Sequence, residues 1–247
     1  MEAGLERCLA FVRCQLQPAP IGKLATNGRQ QWRAVTISRQ AGSGGSAVAK
    51  ELAKYLQAYV PNGACPWTVF DRDLVERVLE DHHMPARLAR FMPENRVSEI
   101  EDFLDELLGV HPPAEDLVRK TAETILHLAE LGNVILIGRG AAVIAGKMHH
   151  VLHVRLVGSL AKRVARIQDR QGIGRKAAMK FVRDEDRGRR AYLKKYYHTD
   201  IDDPLLYHLT INTDLFGCEQ TAQMIGNVVL SGALAREATR FLAETGN

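Results

Sequence analysis

Cysteine is scarce in this sequence. The 247 residues hold four, Cys8, Cys14, Cys65 and Cys218, and no two of them stand in a C-x-x-C spacing. That excludes a zinc site built on paired cysteines and argues against a disulfide framework, so reduced thiols and a cytoplasmic location are expected. No apolar run approaches the roughly 18 residues of a membrane span. The first residues include Glu2 and Glu6 and no long apolar core, so a secretory leader is not expected. A strong charge of one sign is missing too, and a net +4 does not call for nucleic acid. Two histidine clusters, His82–His83 and His149, His150 and His153, lack any cysteine or carboxylate at matching spacing, so no metal site of that kind is expected.

What is present is an alternation of strand and helix patterns. A hydrophobic content of 46% suits a packed core. Val35–Ser38, a stretch ending near Phe70, "NVILIG", "VLHVRLV" and "YHLTINT" read as five strands, with helical patterns between them. The strands are apolar on both faces, which is the signature of a parallel sheet covered by helices on each side. The expected fold is therefore a three-layer α/β/α domain over residues 33–247. Residues 1–32, with helical spacing over 4–16 and then Pro18 and Pro20, read as an N-terminal extension. In such sheets ligands sit at the carboxyl ends of the strands. The glycine loop after the first strand, Asp71 and Arg139 all fall there.

The loop reads "SRQAGSGGS", residues 38–46. Glycine lets the backbone approach a phosphate and turn its N–H groups inward, and the following helix adds its positive end. Gly42, Ser43, Gly44, Gly45 and Ser46 are the candidate nucleotide-binding residues. Against G-x-x-x-x-G-K-[ST], Arg39 takes the first glycine position, Gly44 fits the second, Gly45 replaces the lysine and Ser46 supplies the magnesium-binding hydroxyl. The competing reading is a strand–helix turn with glycines for tight packing. Arg139 follows "VILIG" at a strand end between two glycines, a place where an arginine meets an anion.

Between Lys162 and Lys195 there are thirteen Lys/Arg and four Asp/Glu, a net +9 against a chain total of +4. Arg183, Arg187 and Arg190 recur at i, i+4 and i+7, on one helix face. Phosphoryl transfer asks the protein for placed charge and excluded water, and an arginine-bearing arm supplies both. A solvated basic helix and a nucleic-acid contact, with Tyr192, Tyr196 and Tyr197 among the charges, are the other readings.

Three segments in order, "TISRQAGSGGSAVAKELA", "NVILIGRGAAVI" and "VRDEDRGRRAYLKKYY", resemble the cytidylate-kinase-like family, a nucleoside monophosphate kinase branch of the P-loop kinases. The likeness covers roughly residues 34–230. It implies a P-loop kinase fold with a basic helical lid near 162–200, ATP and Mg2+ as cofactors, and transfer to a nucleoside monophosphate or a similar small phosphorylated acceptor. "FDRDLVER" resembles the family segment in which an arginine six residues after an aspartate holds the acceptor phosphate, which assigns Asp71, Arg77 and Arg139 to the acceptor side. The resemblance also places Arg183 and Arg187 in the closing arm as catalytic charges. Arg39, at the loop's entrance, is the nearer replacement for the missing lysine, and Arg163 and Arg166 are candidates to flank the adenine. Two departures stand out: Gly45 where cytidylate kinases carry lysine, and Gly140 where they carry a base-reading aspartate. They leave a second reading open, a nucleotide-binding regulatory module with impaired catalysis.

Overall fold

The computed structural model describes residues 32–59, 65–71 and 114–245. Among them five strands form one parallel sheet: β1 (Ala34–Arg39), β2 (Thr68–Phe70), β3 (Val134–Ile137), β4 (Val151–Val157) and β5 (Leu209–Asn212), in the order β2-β3-β1-β4-β5. All five expected strands are present. The helices are α1 (Gly45–Gln57), α2 (Ala114–Leu131), the short α3 (Ala141–Ile144), α4 (Leu160–Gln171), α5 (Arg175–Tyr197) and α6 (Cys218–Thr245). The basic region is thus two helices, α4 and α5. The expected N-terminal helix and the acidic stretch before α2 lie outside the described residues.

The alternating direction of strand side chains explains the three layers. Val35 and Ile37 of β1, with Ile135 and Ile137 of β3, face one way and pack with Val48, Leu52 and Leu56 of α1 and Ala222, Ile225 and Val229 of α6. Ala34, Val134 and Leu136 face the other way, toward Ile125 and Ala129 of α2 and Ala141 and Ala145. Both faces are covered over β1, β3 and β4, which are largely apolar, whereas β5 at the sheet edge keeps Thr210 and Asn212 exposed. The chain has the three-layer α/β/α architecture of P-loop kinases.

β1 lies at the centre. Ile37 is in register with Ile137 of β3 on one side and with Val154 of β4 on the other. Connections leave β1 and β3 at the same edge of the sheet, which opens a crevice there. One cysteine departs from expectation: Cys65 is disulfide-bonded, whereas Cys218 is a free, exposed thiol. Among the described residues no helix is long and apolar enough to cross a membrane.

Candidate functional site

The glycine loop leaves β1 and turns back at once. The Ser43 amide and hydroxyl both donate to the Gln40 carbonyl, at 3.2 and 2.8 Å. Gly42 and Gly44 have φ of 78° and 87°, a backbone region that side-chain-bearing residues rarely adopt. Gly44 is the N-cap of α1, and no side chain caps that helix or adds an acid to its first turn. The helix therefore presents its positive end to whatever lies above the loop. Gly42 has a second reason to be glycine. A Cβ there would lie 2.4 Å from the Arg163 backbone oxygen, because α4 packs directly on the loop.

Above the loop opens a cleft of about 410 Å³, lined by Arg39, the loop backbone, Ser46, Asp71, Arg139, Arg170, Glu185 and Arg189 among others. Four arginines against two carboxylates give it a net positive lining. Arg39 occupies the room that the missing lysine's side chain would use: a Cβ on Gly45 would meet Arg39 Cγ at 3.0 Å, Cβ at 3.2 Å and Cδ at 3.5 Å. The glycine at position 45 and the arginine at position 39 are one arrangement.

The Ser46 hydroxyl donates to Asp71 Oδ2 at 3.0 Å. This joins two residues that the sequence reading had placed on opposite sides of the site. A hydroxyl and a carboxylate at the foot of the glycine loop are hard oxygen donors. They suit Mg2+, which takes one or two protein ligands plus phosphates and keeps several waters. Among the described residues no group of three or more His, Cys, Asp or Glu forms a metal cage.

Arg139 has φ of 54° between Gly138 at 78° and Gly140 at 72°. A run of three left-handed residues at the end of β3 is a strained turn, and strain of this kind gathers at functional sites. It brings Arg139 to the cleft wall. A Cβ on Gly140 would stand 3.1 Å from the Tyr197 ring of α5, so an aspartate at position 140 would be strained by its positive φ and would crowd that ring. Arg77 lies outside the described residues.

The basic helices differ from the sequence reading in which residues face the site. Arg183 and Arg187 point outward: Arg183 is exposed, and Arg187 is 78% exposed and 3.8 Å from Asp184. Neither lines the cleft. Arg170 of α4 and Arg189 of α5 do. The inner face of α5 is set by Ala178, Val182, Gly188 and Tyr192, which are buried. That apolar stripe, visible in the sequence at helical spacing, was the signal that Glu185, Asp186 and Arg189 sit on the inward side. Arg163 cannot flank an adenine, because it is buried and bonded to the Gly158 and Ala41 carbonyls and to Asp186. Arg166 donates to the Gly42 and Thr213 carbonyls at 3.3 and 2.5 Å.

Behind the cleft, the Arg155 guanidinium of β4 bonds Ser38 and Asp202, both at 2.9 Å, and Asp202 also receives Arg190 at 2.6 Å. Burial pushes the neighbouring Tyr207 phenol above its ordinary pKa and keeps it protonated. Its hydroxyl bonds Ser38 and the Ile201 carbonyl, at 3.2 and 2.8 Å.

The model of the cytidylate kinase-like family matches residues 34–215. The chain belongs to the cytidylate kinase-like family. Within that family's span lie the glycine loop, Arg139 and both basic helices. The chain is 28% identical over 202 residues to a cytidylate kinase of Aeropyrum pernix, covering 81% of this chain and 98% of that one. It is 23% identical over 158 residues to a cytidylate kinase of Methanocaldococcus jannaschii, covering 63% of this chain and 89% of the relative. Among solved structures, an uncharacterized protein from Eubacterium ventriosum superposes with a TM-score of 0.56 at 21% identity, covering 82% of this chain and 99% of the other. That likeness speaks for the fold alone.

Proposed function

We propose that this protein transfers the γ-phosphoryl group of ATP to a nucleoside monophosphate. The observation that carries the reading is the aliphatic stem of Arg39 packed against Gly45 on the cleft wall, from where its guanidinium would return a cation to a glycine loop that lacks the lysine. The names of the two archaeal relatives and the family membership point the same way.

In this reading the amides of Gly42–Ser46 hold the donor phosphates, and Arg39 reaches the bridging region between donor and transferred group. Ser46 and Asp71 would hold Mg2+, which when bound neutralises phosphate charge. Arg139 meets the acceptor phosphate from the β3 side. Arg170 and Arg189 face the cleft from α4 and α5, where they stabilise the charge of the transferring group, the role that sequence spacing had suggested for Arg183 and Arg187. A phosphate acceptor is already ionised at neutral pH, so the site needs no general base. Catalysis is positioning and charge. The acceptor's base is not assigned: Tyr197 packs against the place where a base-reading carboxylate would stand.

The test is turnover of magnesium ATP with a panel of all common nucleoside monophosphates, beside equilibrium ATP binding. Transfer to at least one acceptor, lost in Arg139→Ala with ATP affinity nearly intact, is the expected result. Wild-type protein that binds ATP and phosphorylates none of them would favour the regulatory module instead. Gly44→Val, which forces a β-branched residue into the left-handed region, is expected to abolish ATP binding.

A further inference from the structure

We propose that Asp186 is a positioning residue: one carboxylate sets both the shape of the phosphate loop and the aim of Arg189. The proposal rests on the reading of the cleft as an ATP site. Asp186 lies on the inner side of α5, 145 residues from the loop. Its Oδ1 accepts the Ala41 backbone N–H at 2.7 Å and Arg189 Nη1 at 3.3 Å. Its Oδ2 accepts Arg163 Nη1 at 2.6 Å. The same Arg163 nitrogen donates to the Ala41 carbonyl at 3.0 Å. Both polar groups of the Ala41 peptide units are therefore held by a single ion pair, just before Gly42.

Three features separate this arrangement from an ordinary stabilising pair. The pair is sited where apolar packing would serve stability as well, since buried ion pairs add little over well-packed hydrophobic groups. Ala41 itself already belongs to an apolar cluster with Val164, Ile167, Ala178 and Val182. The pair is bonded to the loop backbone, accepting the Ala41 N–H and donating to the Ala41 carbonyl, and the geometry of that backbone decides where the donor phosphates sit. Finally, the carboxylate also holds a cleft arginine, whose other terminal nitrogen is taken by Glu185 at 2.7 Å. Arg189 is only 12% exposed and is gripped by two carboxylates from its own helix. A guanidinium fixed in this way presents a set direction to the cleft, which is worth more to transfer than a charge that must be ordered first. If Asp186 acts through Arg189 and the loop together, then removing either end removes the same thing.

The experiment is a double-mutant cycle read by calorimetric binding of magnesium ATP and magnesium ADP. The quantity compared is the preference for ATP over ADP, which reports how well the γ-phosphate is met. Arg189→Ala is expected to lower that preference about tenfold, Asp186→Asn to lower it by a similar factor, and the double variant to go no lower than either. Losses that multiply, or an Asp186→Asn preference equal to wild type, would overturn the proposal. Asp186→Glu serves if the asparagine variant does not fold. It keeps the charge for Arg163 but moves the carboxylate by one methylene, so near-wild-type thermal stability with a reduced ATP preference is expected. An unchanged preference in that variant counts against the proposal equally. Binding is read without turnover, so a wild-type protein that prefers ATP but transfers nothing would contradict the proposed function and leave this inference standing. A wild-type protein that binds neither nucleotide removes both.

Discussion

The glycine loop and the basic helices α4 and α5 face each other across one cleft, and they were unequally readable. In the loop the constraint is in the backbone. Glycine at 42 and 44 is required by φ values above 75° and by the approach of α4, and such requirements appear in the sequence as glycines. In the helices the constraint is on which face turns inward. Charge density there is uniform by sequence: Arg183, Arg187, Arg189 and Arg190 are alike on paper. Packing separates them: Arg183 and Arg187 stand in solvent, Arg190 pairs with Asp202, and Arg189 lines the cleft, where the exposed Arg170 of α4 joins it. A stretch of like charges therefore tells where an anion-facing element lies, and not which of its members does the work.

The comparison can be broken first on the loop side. Arg39→Ala removes the cleft cation whose stem packs against Gly45, and a loss of turnover on the order of 10³-fold is expected, with ATP affinity changed far less. Single-turnover transfer beside equilibrium binding measures it. A variant that transfers at the wild-type rate would show that Gly45 needs no substitute.

The joint between the two regions comes next. Arg163→Ala takes one of three donors from Asp186 and the donor from the Gly158 and Ala41 carbonyls, so a destabilisation of about 3 kcal/mol is expected in denaturant unfolding. A change under about 1 kcal/mol would mean that α4 and the loop are held together by apolar packing alone.

A control outside both regions separates acid effects on the fold from acid effects on the cleft. His153 of β4 is buried, its Nδ1 lies 2.8 Å from Thr36 Oγ1, and its ring stacks on His208 at 5.0 Å. Burial, and then the neighbouring His208, lower its pKa to about 4. The folded protein thus binds this proton less readily than the unfolded chain. Stability present above pH 6.5 is lost as pH falls toward about 4, by about 3 kcal/mol in all. His153→Gln, which cannot take up the proton, is expected to flatten that slope; a slope unchanged by the substitution would assign the acid loss to other groups.

The smallest effect sharpens the contrast within α5. Arg187→Ala removes an exposed charge and is expected to change stability by less than about 0.5 kcal/mol and turnover by less than about threefold. Loss of transfer in that variant, with Arg189→Ala near wild type, would restore the outer face as the working one and reverse the comparison.

The sequence by itself determined the five strands, their parallel arrangement, the loop between β1 and α1, and the presence of Arg139 at a strand end. Each depends on local rules: apolar runs buried on both faces, glycine where φ turns positive, and a helix opening directly after the loop. Arg77 lies outside the described residues, and its place on the acceptor side is an expectation from the family resemblance. Only the tertiary structure decided which side chains meet. Ser46 and Asp71 are 25 residues apart and share a hydrogen bond because β2 ends and α1 begins at the same edge of the sheet. Arg39 covers Gly45 because the loop folds back over the end of its own strand. Asp186 reaches Ala41 because the apolar stripe of α5 turns that side of the helix onto the loop, and the same rotation carries Arg183 and Arg187 into solvent. A residue's chemistry is local, but its direction depends on what the neighbouring elements bury, and a single helix with cations on every side does not specify that direction alone.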